Sequence, residues 1–370
     1  MKRLVFAGAG HAHLYSLARL ERFVRAGVSV TVVSPRAFWY SGMGPGLLSG
    51  QYEAEDASVD VGAMTESAGG RFLEDRVASI DADRRVVSTE GGERVAYDAL
   101  SLNVGSEVAV PPGGEGSGRV IPVKPVSLLL DLRHRILRCE PRRSLRILVA
   151  GGGAAGCEAA ANALALCRRR GRKASVRLVT GEDRLLPGMP ESAGRRMADW
   201  CRGNGIAVET GRRVSGFDGE DALFGDGRRE AADFVLLATG VHPPPLMRRS
   251  ALATDEEGAL RVDDRLQSVS HPGVFGGGDC IRFESMPLSR AGVYAVRQAP
   301  VLFDNLLASL LGGVLRVFRP QEKYLLILNL GDGTGLITRG KFVASGRAAF
   351  RLKDLLDRRF LRTVRGARPR

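Results

Sequence analysis

One pattern constrains this chain more than any other, and it occurs twice. A short apolar run, Arg3 to Ala7, enters Gly8-Ala9-Gly10, and helical spacing follows through Leu14, Leu17, Leu20 and Val24. Val28 to Val33 is a β-branched run that reads as a second strand. The same order returns at Leu145 to Ala150, followed by Gly151-Gly152-Gly153-Ala154-Ala155-Gly156. An Ala-rich helical stretch from Glu158 to Leu166 and a strand from Val176 to Thr180 complete it. The two glycine turns begin 143 residues apart. Strand, glycine turn, helix, strand is the opening of a parallel βαβ unit. Glycine lets the backbone turn tightly and approach a phosphate resting on the positive end of the helix. The chain is therefore expected to carry two phosphate cradles.

The remainder of the chain fits that plan. Gly supplies 47 of 370 residues, far from the one in three of collagen, so it points to tight turns. With 44% apolar and 26% charged residues, disorder and a disulfide scaffold are excluded. Residues 70–104 read as short strands, 111–118 as a Gly/Pro-rich surface loop, and Pro243-Pro244-Pro245 as a rigid crossing. Ala291 to Leu311 reads as a long amphipathic helix, 324–345 as an antiparallel meander and Ala348 to Val364 as a last helix.

Individual positions sharpen the chemistry. In the first turn His13 stands where a third small residue normally allows close helix–strand packing. Either the helix stands off or the imidazole faces the ligand; His11 and His13 also suit packing and local hydrogen bonding. The end of the second strand usually carries a carboxylate for a ribose, but here it reads Ser34-Pro35-Arg36. A hydroxyl and a guanidinium can bind ribose and phosphate instead. The second turn is a full G-x-G-x-x-G; its second strand ends in Thr180-Gly181, again without a carboxylate, and Glu182 follows. NADH and NADPH both remain open. Glu158 is expected in the first turn of the helix, either complementing its dipole or standing beside a nicotinamide. Asp279 follows Gly276-Gly277-Gly278 and can accept hydrogen bonds from a sugar alcohol. The helix opening near Ala291 would aim its dipole at an anionic ring such as a reduced flavin.

Cysteine chemistry excludes more than it offers. No close pair of the C-x-x-C kind exists among Cys139, Cys157, Cys167, Cys201 and Cys280. A flavin disulfide reductase is therefore ruled out, and no metal-ligand spacing is found. The odd number of cysteines fits a reducing, cytoplasmic compartment.

The stretches GAGHAHLYSL, VSPRAFWYSGMGPGLLSGQY, YDALSLNVGS, IPVKP, VAGGGAAGCEAA, LLATG, VFGGGDC, AGVYAVRQAPVLFDNL and LKDLLDRRFLR follow one another in this order. Together they resemble the two-dinucleotide-binding flavoproteins, on the branch of type II NADH dehydrogenases. The nearest resemblance is to the pyridine-nucleotide oxidoreductase module found fused to selenide, water dikinase. It implies an α/β fold with two Rossmann-like domains and a small C-terminal α+β domain. The FAD domain would be 1–122 joined to 244–316, with an NAD(P)H domain at 123–243 and a C-terminal domain at 317–370. Gly8, Gly10, His11, Ser34, Gly42, Met43, Asn103, Gly105, Gly278 and Asp279 would line FAD, and Val77 would offer its backbone to adenine. Gly151, Gly153, Ala154, Ala155, Gly156, Glu158 and Gly240 would line NADH or NADPH. His13 and Arg36 complete the cofactor set, and Glu158 and Lys124 are the catalytic candidates; Lys124 also suits a structural hinge. Quinone-reducing members carry a Gln- and Ala-rich signature on the helix after the flavin aspartate, of which only Gln298 matches here.

The expected function is hydride transfer from nicotinamide C4 to flavin N5, then electron transfer to a small acceptor, a quinone among the candidates. The competing class is a flavin-bearing, redox-switched binding or regulatory module, linked to selenium metabolism. The net charge is +13, and Arg339 to Arg370 alone holds 11 basic and 2 acidic residues. Such an end can attract an anionic membrane surface through 348–370, placing a cytoplasmic protein on the inner face of its membrane. With 6% aromatics and the charge localised, nucleic acid is not expected as a partner. A homodimer is part of the same expectation. No run of about 18 uncharged apolar residues exists, so no spanning helix is expected.

Overall fold

The computed structural model describes residues 1–366. The first unit runs from β1 (Lys2–Ala7) through helix α1 (His11–Leu17) and α2 (Glu21–Arg25) to β2 (Val28–Ser34). The single helix expected through Val24 is thus broken: the chain turns at residues 18–20 and restarts at Glu21. Strands β3 (Arg71–Glu74) and β4 (Ala99–Leu102) follow. The chain then crosses to a second sheet with β5 (Val120–Pro122), helix α3 (Ser127–Arg138), β6 (Leu145–Ala150) and helix α4 (Ala154–Arg169). That sheet is completed by β7 (Ala174–Val179), β8 (Ala207–Glu209) and β9 (Phe234–Leu237). The chain returns to the first sheet at β10 (Val274–Gly276), followed by helix α5 (Gly292–Leu311).

Both sheets are five-stranded and parallel, ordered β10-β4-β1-β2-β3 and β5-β9-β6-β7-β8. A parallel sheet covered on both faces needs apolar side chains on both, and β1, β4, β6 and β9 supply them. Each sheet has its own apolar core. One is built on Leu4, Phe6, Phe23, Phe275 and Phe303, the other on Leu148, Leu178, Leu236 and Ile147. In both units the first turn glycine makes the same bond: Gly8 N–H to Val33 O at 2.8 Å and Gly151 N–H to Val179 O at 2.7 Å.

The last segment is a three-stranded antiparallel meander, β11 (Leu326–Asn329), β12 (Gly335–Arg339) and β13 (Phe342–Gly346), and a helix α6 (Arg347–Arg365). Its two parts face different cores. Leu328 and Leu336 enter the second core, while Leu361 and Val364 enter the first. Residues 367–370, the end of the expected basic tail, lie outside the described residues.

Candidate active site

The first glycine turn is crowded from behind. Gly8 has φ +81°, and a Cβ there would lie 2.5 Å from the Asn103 carbonyl oxygen. Asn103, at the end of β4, is buried: its Oδ1 accepts from Ala12 N–H at 2.9 Å and its Nδ2 donates to Gly277 O at 2.6 Å. Asn103 is therefore a strut that ties the first turn to the turn after β10, with both side-chain polar atoms engaged. Of the alternatives open for His13, the structure shows packing and local hydrogen bonding. His13 is 0% exposed, with Nδ1 2.6 Å from Gly8 O and Nε2 2.8 Å from Ser101 Oγ. Burial pushes its pKa down to about 4 against the pull of the Gly8 carbonyl, so the ring is a neutral brace. It fills the place of the missing small residue from inside the fold.

His11, in contrast, borders the open side. Its Nε2 lies 3.4 Å from Ser41 Oγ, and its ring packs against Phe38, Tyr40 and Phe360. Burial lowers its pKa to about 4; Asp279 opposes that shift and Lys124 adds to it. These three residues share one neighbourhood. Asp279 Oδ2 accepts from Lys124 Nζ at 2.6 Å and from Ser106 Oγ at 2.8 Å. Burial alone would raise the Asp279 pKa, but the charge and hydrogen bond of Lys124 and the Ser106 hydroxyl hold it below the usual carboxylate range. Its other oxygen, Oδ1, has no donor among the described residues. Gly278 (φ +77°) donates its N–H to Gln298 Oε1 at 2.7 Å. Gln298 is 1% exposed and braces this turn, so the one residue matching the quinone signature is turned inward. Helix α5 starts with no side-chain cap, and a Cβ on Gly292 would stand 3.9 Å from both His11 Nε2 and Ser41 Oγ. The positive end of a 20-residue helix therefore opens onto the His11–Ser41 space.

The second turn is closed differently. Gly151 has φ +120°, and Cβ atoms on Gly151 and Gly156 would overlap the Ala238 and Gly151 carbonyls. Gly153 and Gly240 (φ +107°) have no atom within 4 Å of an added Cβ, so both border open space. Helix α4 has no side-chain cap; Ala154 is half-buried and Ala155 exposed. Glu158 lies in the second turn of α4, not the first, because the helix begins at Ala154. Its Oε1 accepts from Asn329 N–H at 2.7 Å. Burial raises its pKa to about 7, with Lys353 and the Asn329 amide opposing and Asp357 adding. It does not serve as a first-turn dipole complement.

The other expected positions are placed as follows. Ser34 is buried at the end of β2, and Arg36 is spent on Asp60 and Glu66 at 3.2 and 3.4 Å. Met43 is fully buried, leaving only its backbone for a ligand. Gly42 is held from below, its carbonyl accepting from Lys353 Nζ at 2.6 Å. Lys353 also pairs with Asp357 at 2.7 Å, to which Tyr40 donates its hydroxyl at 3.0 Å. Val77 begins a strand (Val77–Asp81) opposite Thr89. Gly105 (φ +77°) faces open space. Cys157 is buried, and burial raises its thiol pKa rather than the helix end lowering it. Sequence reasoning missed Ser106, Arg290, whose Nε donates to the Asp279 carbonyl at 3.2 Å, Asn329 and Lys353. Ser106 and Arg290 flank positions it singled out, but Asn329 and Lys353 reach the site only through tertiary contact.

These residues fit FAD on one side and a nicotinamide dinucleotide on the other. An acceptor with a free oxygen (Asp279), two uncapped helix starts and open glycine faces at 105, 153 and 240 provide for phosphates, a sugar chain and a ring.

Comparison with known proteins agrees. The pyridine nucleotide-disulphide oxidoreductase family model matches residues 2–299. The chain is 33% identical over 227 residues to the ferredoxin reductase component of chlorobenzene dioxygenase from a Cupriavidus strain, covering 58% of this chain but only half of that protein. It is 28% identical to an NADH dehydrogenase-like protein of Mycobacterium tuberculosis over 100% of this chain and 96% of the relative. The sulfide:quinone oxidoreductase of Aquifex aeolicus shares the fold, with a TM-score of 0.83 at 18% identity over 99% of this chain and 92% of that one. A match over four-fifths of the length, on the turns described above, settles the relationship: this chain belongs to the pyridine nucleotide-disulphide oxidoreductase family, whose cofactors are FAD and NAD(P)H.

Proposed function

We propose that the protein is an FAD-dependent NAD(P)H oxidoreductase that passes the electrons on to a small acceptor of the quinone class. Residues 1–122 and 244–316 serve FAD in this reading, 123–243 the nicotinamide dinucleotide, and the segment from 317 covers the site. The observation that carries it is the ion pair from Lys124 to Asp279. Lys124 follows the edge strand of the second sheet, and Asp279 follows β10 of the first. The carboxyl ends of the two sheets, where such folds bind their ligands, therefore meet.

When bound, FAD supplies a hydride acceptor that can hand electrons on. The chain's own groups do the rest. Asp279 Oδ1 is free to accept from a sugar hydroxyl, while Lys124 and Ser106 keep the carboxylate ionised and fixed. The start of α5 favours negative charge at the far side of the site. Glu158, with a pKa near neutrality, can hold or release a proton at Oε2, since Oε1 is occupied by Asn329.

A lipid-soluble acceptor is favoured by the surface of α6. Leu352, Leu355 and Leu356 are 38%, 56% and 42% exposed, and Phe342 on β13 is 60% exposed. Arg351, Arg359 and Lys341 are exposed as well. A stripe of leucines with arginines beside it suits an anionic membrane interface. Among the described residues no helix is long and apolar enough to cross a membrane. The chain's place beside the module fused to selenide, water dikinase is proposed on the quoted motifs alone.

The test is anaerobic titration of the purified protein. We expect flavin absorbance near one equivalent, bleached by a stoichiometric reduced nicotinamide and restored by a soluble quinone. A colourless protein that takes up no FAD overturns the reading.

A further inference from the structure

The adenosine end of the second cradle carries a feature that the hydride-transfer reading does not use. In a dinucleotide-binding unit, the residue closing the second strand faces the adenosine ribose; a carboxylate there grips the 2′- and 3′-hydroxyls, and a nearby arginine receives a 2′-phosphate. Here β7 is closed by Thr180, which is 3% exposed. A Cβ on Gly152 of the phosphate turn would lie 2.8 Å from Thr180 Oγ1, so Thr180 packs directly beneath the turn. Its hydroxyl accepts from Glu182 N–H at 3.2 Å. No carboxylate occupies the clamp position.

What stands there instead comes from the neighbouring strand. The loop after β7 is stitched to the loop after β8 by two backbone bonds, Arg212 N–H to Thr180 O at 2.8 Å and Gly211 N–H to Glu182 O at 2.9 Å. This register brings Arg213 across Gly181. A Cβ on Gly181 would lie 2.7 Å from Arg213 Nε and 3.1 Å from its terminal nitrogen. The guanidinium thus lies over Gly181, in the space that a side chain at 181 would share.

The charges nearby separate into spent and unspent. Glu209 lies within ion-pair distance of Arg212 (2.5 Å), Arg228 (3.6 Å) and Arg177 (3.7 Å), so its charge is matched by three arginines, and its buried Oε2 accepts no hydrogen bond from the described residues. Arg212 also pairs with Asp226 at 2.9 Å. Arg184 is consumed by the carbonyls of Leu185, Leu186, Pro187 and Met189. Arg213 is exposed and has neither an ion pair nor a side-chain hydrogen bond among the described residues. It is a guanidinium lying over Gly181 with its donors unused, which is the chemistry that recognises a phosphate monoester.

We infer that the second cradle selects the 2′-phosphorylated dinucleotide, NADPH over NADH, and that Arg213 is the residue that reads the 2′-phosphate. The inference rests on the proposed nicotinamide role of the Gly151–Gly156 unit. The Glu182 side chain, exposed and two residues beyond the clamp position, makes no ion pair or hydrogen bond among the described residues, so Glu182→Gln changes charge near the site without touching Arg213.

The test separates binding from turnover. The FAD-loaded protein is titrated calorimetrically with 2′,5′-ADP and with 5′-AMP, which differ by the 2′-phosphate alone. We expect 2′,5′-ADP to bind about 10- to 100-fold more tightly, the range of one charge-assisted contact. Arg213→Ala should erase that difference while leaving 5′-AMP binding unchanged; Arg213→Lys should keep part of it, and Glu182→Gln should leave it intact. Equal affinity of the two fragments, or a preference that survives Arg213→Ala, overturns the inference. If NADH still reduces the flavin in that case, the oxidoreductase reading stands and only the NADPH preference falls. If neither dinucleotide reduces the flavin, the underlying reading fails and takes this one with it.

Discussion

The two dinucleotide units solve the same problem by opposite means. Both must bring a strand, a turn and a helix close enough to expose backbone amides, and both start with the same glycine-to-strand bond. The second unit does it by leaving side chains out: Gly156 allows the helix to touch the Gly151 carbonyl, and α4 continues for 16 residues. The first unit does it by putting polar side chains in. His13 and Asn103 bond to backbone and to one another's neighbours, and α1 lasts only 7 residues. A glycine closure is vulnerable to bulk, whereas a hydrogen-bonded closure is vulnerable to deletion of a polar group. The two sites should therefore respond differently to the same class of mutation.

The largest effect is expected within the second turn, where two glycines only three residues apart serve different purposes. Gly156→Ala drives a methyl into the Gly151 carbonyl, so the nicotinamide unit should lose its packing and thermal melting should fall by several degrees or more. A Cβ at Gly153 meets nothing within 4 Å, so Gly153→Val should melt like the parent. It should nevertheless lose NAD(P)H-dependent bleaching, because the pyrophosphate needs that space, and FAD should stay bound. A Gly153→Val protein that still bleaches normally would show that the open face is not the ligand face.

Next in size is the first unit's brace. His13→Leu keeps the volume but leaves Ser101 Oγ, which is 0% exposed, and the Gly8 carbonyl without their partner. A destabilisation of about 2–4 kcal/mol is expected in denaturant melts, with FAD affinity falling alongside. Were His13 a ligand contact, FAD affinity would fall with stability unchanged.

That distinction marks the limit of what the sequence revealed. The paired strands, both turns, the long helix and the C-terminal meander were legible because hydrophobic period and glycine placement are local signals. The sequence could say that His13 was out of place but not which way its ring pointed. That depends on Ser101, 88 residues away. Asn103 was expected beside FAD on the family resemblance alone, and nothing local showed that its side chain spans to Gly277, 174 residues on. Arg213, Asn329 and Lys353 carry no local mark, since each reaches the site through the register of another element.

Titration offers a third contrast, because the two units bury groups of opposite sign. His11 and His13 have pKa values near 4 in the folded chain, below their ordinary 6.5, so the unfolded chain binds more protons between those values. Their contribution to stability is lost as pH falls through that window. Glu158 is raised from 4.5 to about 7, so the folded chain binds the extra proton. Its effect is reversed: stability is lost as pH rises from about 4.5 to 7. In the parent the two trends oppose each other between about pH 4.5 and 6.5. Glu158→Gln removes one of them, and stability should then climb more steeply with pH across that range, by on the order of 2 kcal/mol relative to the parent. An unchanged profile would mean that Glu158 is as solvated in the folded state as in the unfolded one.

The smallest effect belongs to the segment that touches both units. Helix α6 buries Leu361 and Val364 in the first core and fixes Lys353 to Gly42, while its sheet enters the second. Deleting the whole segment would therefore damage the flavin side as well, and loss of vesicle binding would prove nothing about a membrane. The exposed stripe can be tested without that cost. Leu352, Leu355 and Leu356 lie among the exposed residues, so glutamine there should shift folding stability by less than about 0.5 kcal/mol. At an interface each leucine is worth about 1 kcal/mol when partly inserted. Leu355→Gln should weaken sedimentation with anionic vesicles about fivefold, and the triple variant should abolish it. Flavin content and melting should match the parent in both. The arginines beside the stripe add a salt-sensitive part, since exposed charges are screened over about 8 Å at physiological ionic strength. Binding that survives the triple variant but vanishes in high salt would make the contact purely electrostatic, and the leucines would then need another partner. No vesicle binding by the parent protein would remove the reason for preferring a quinone.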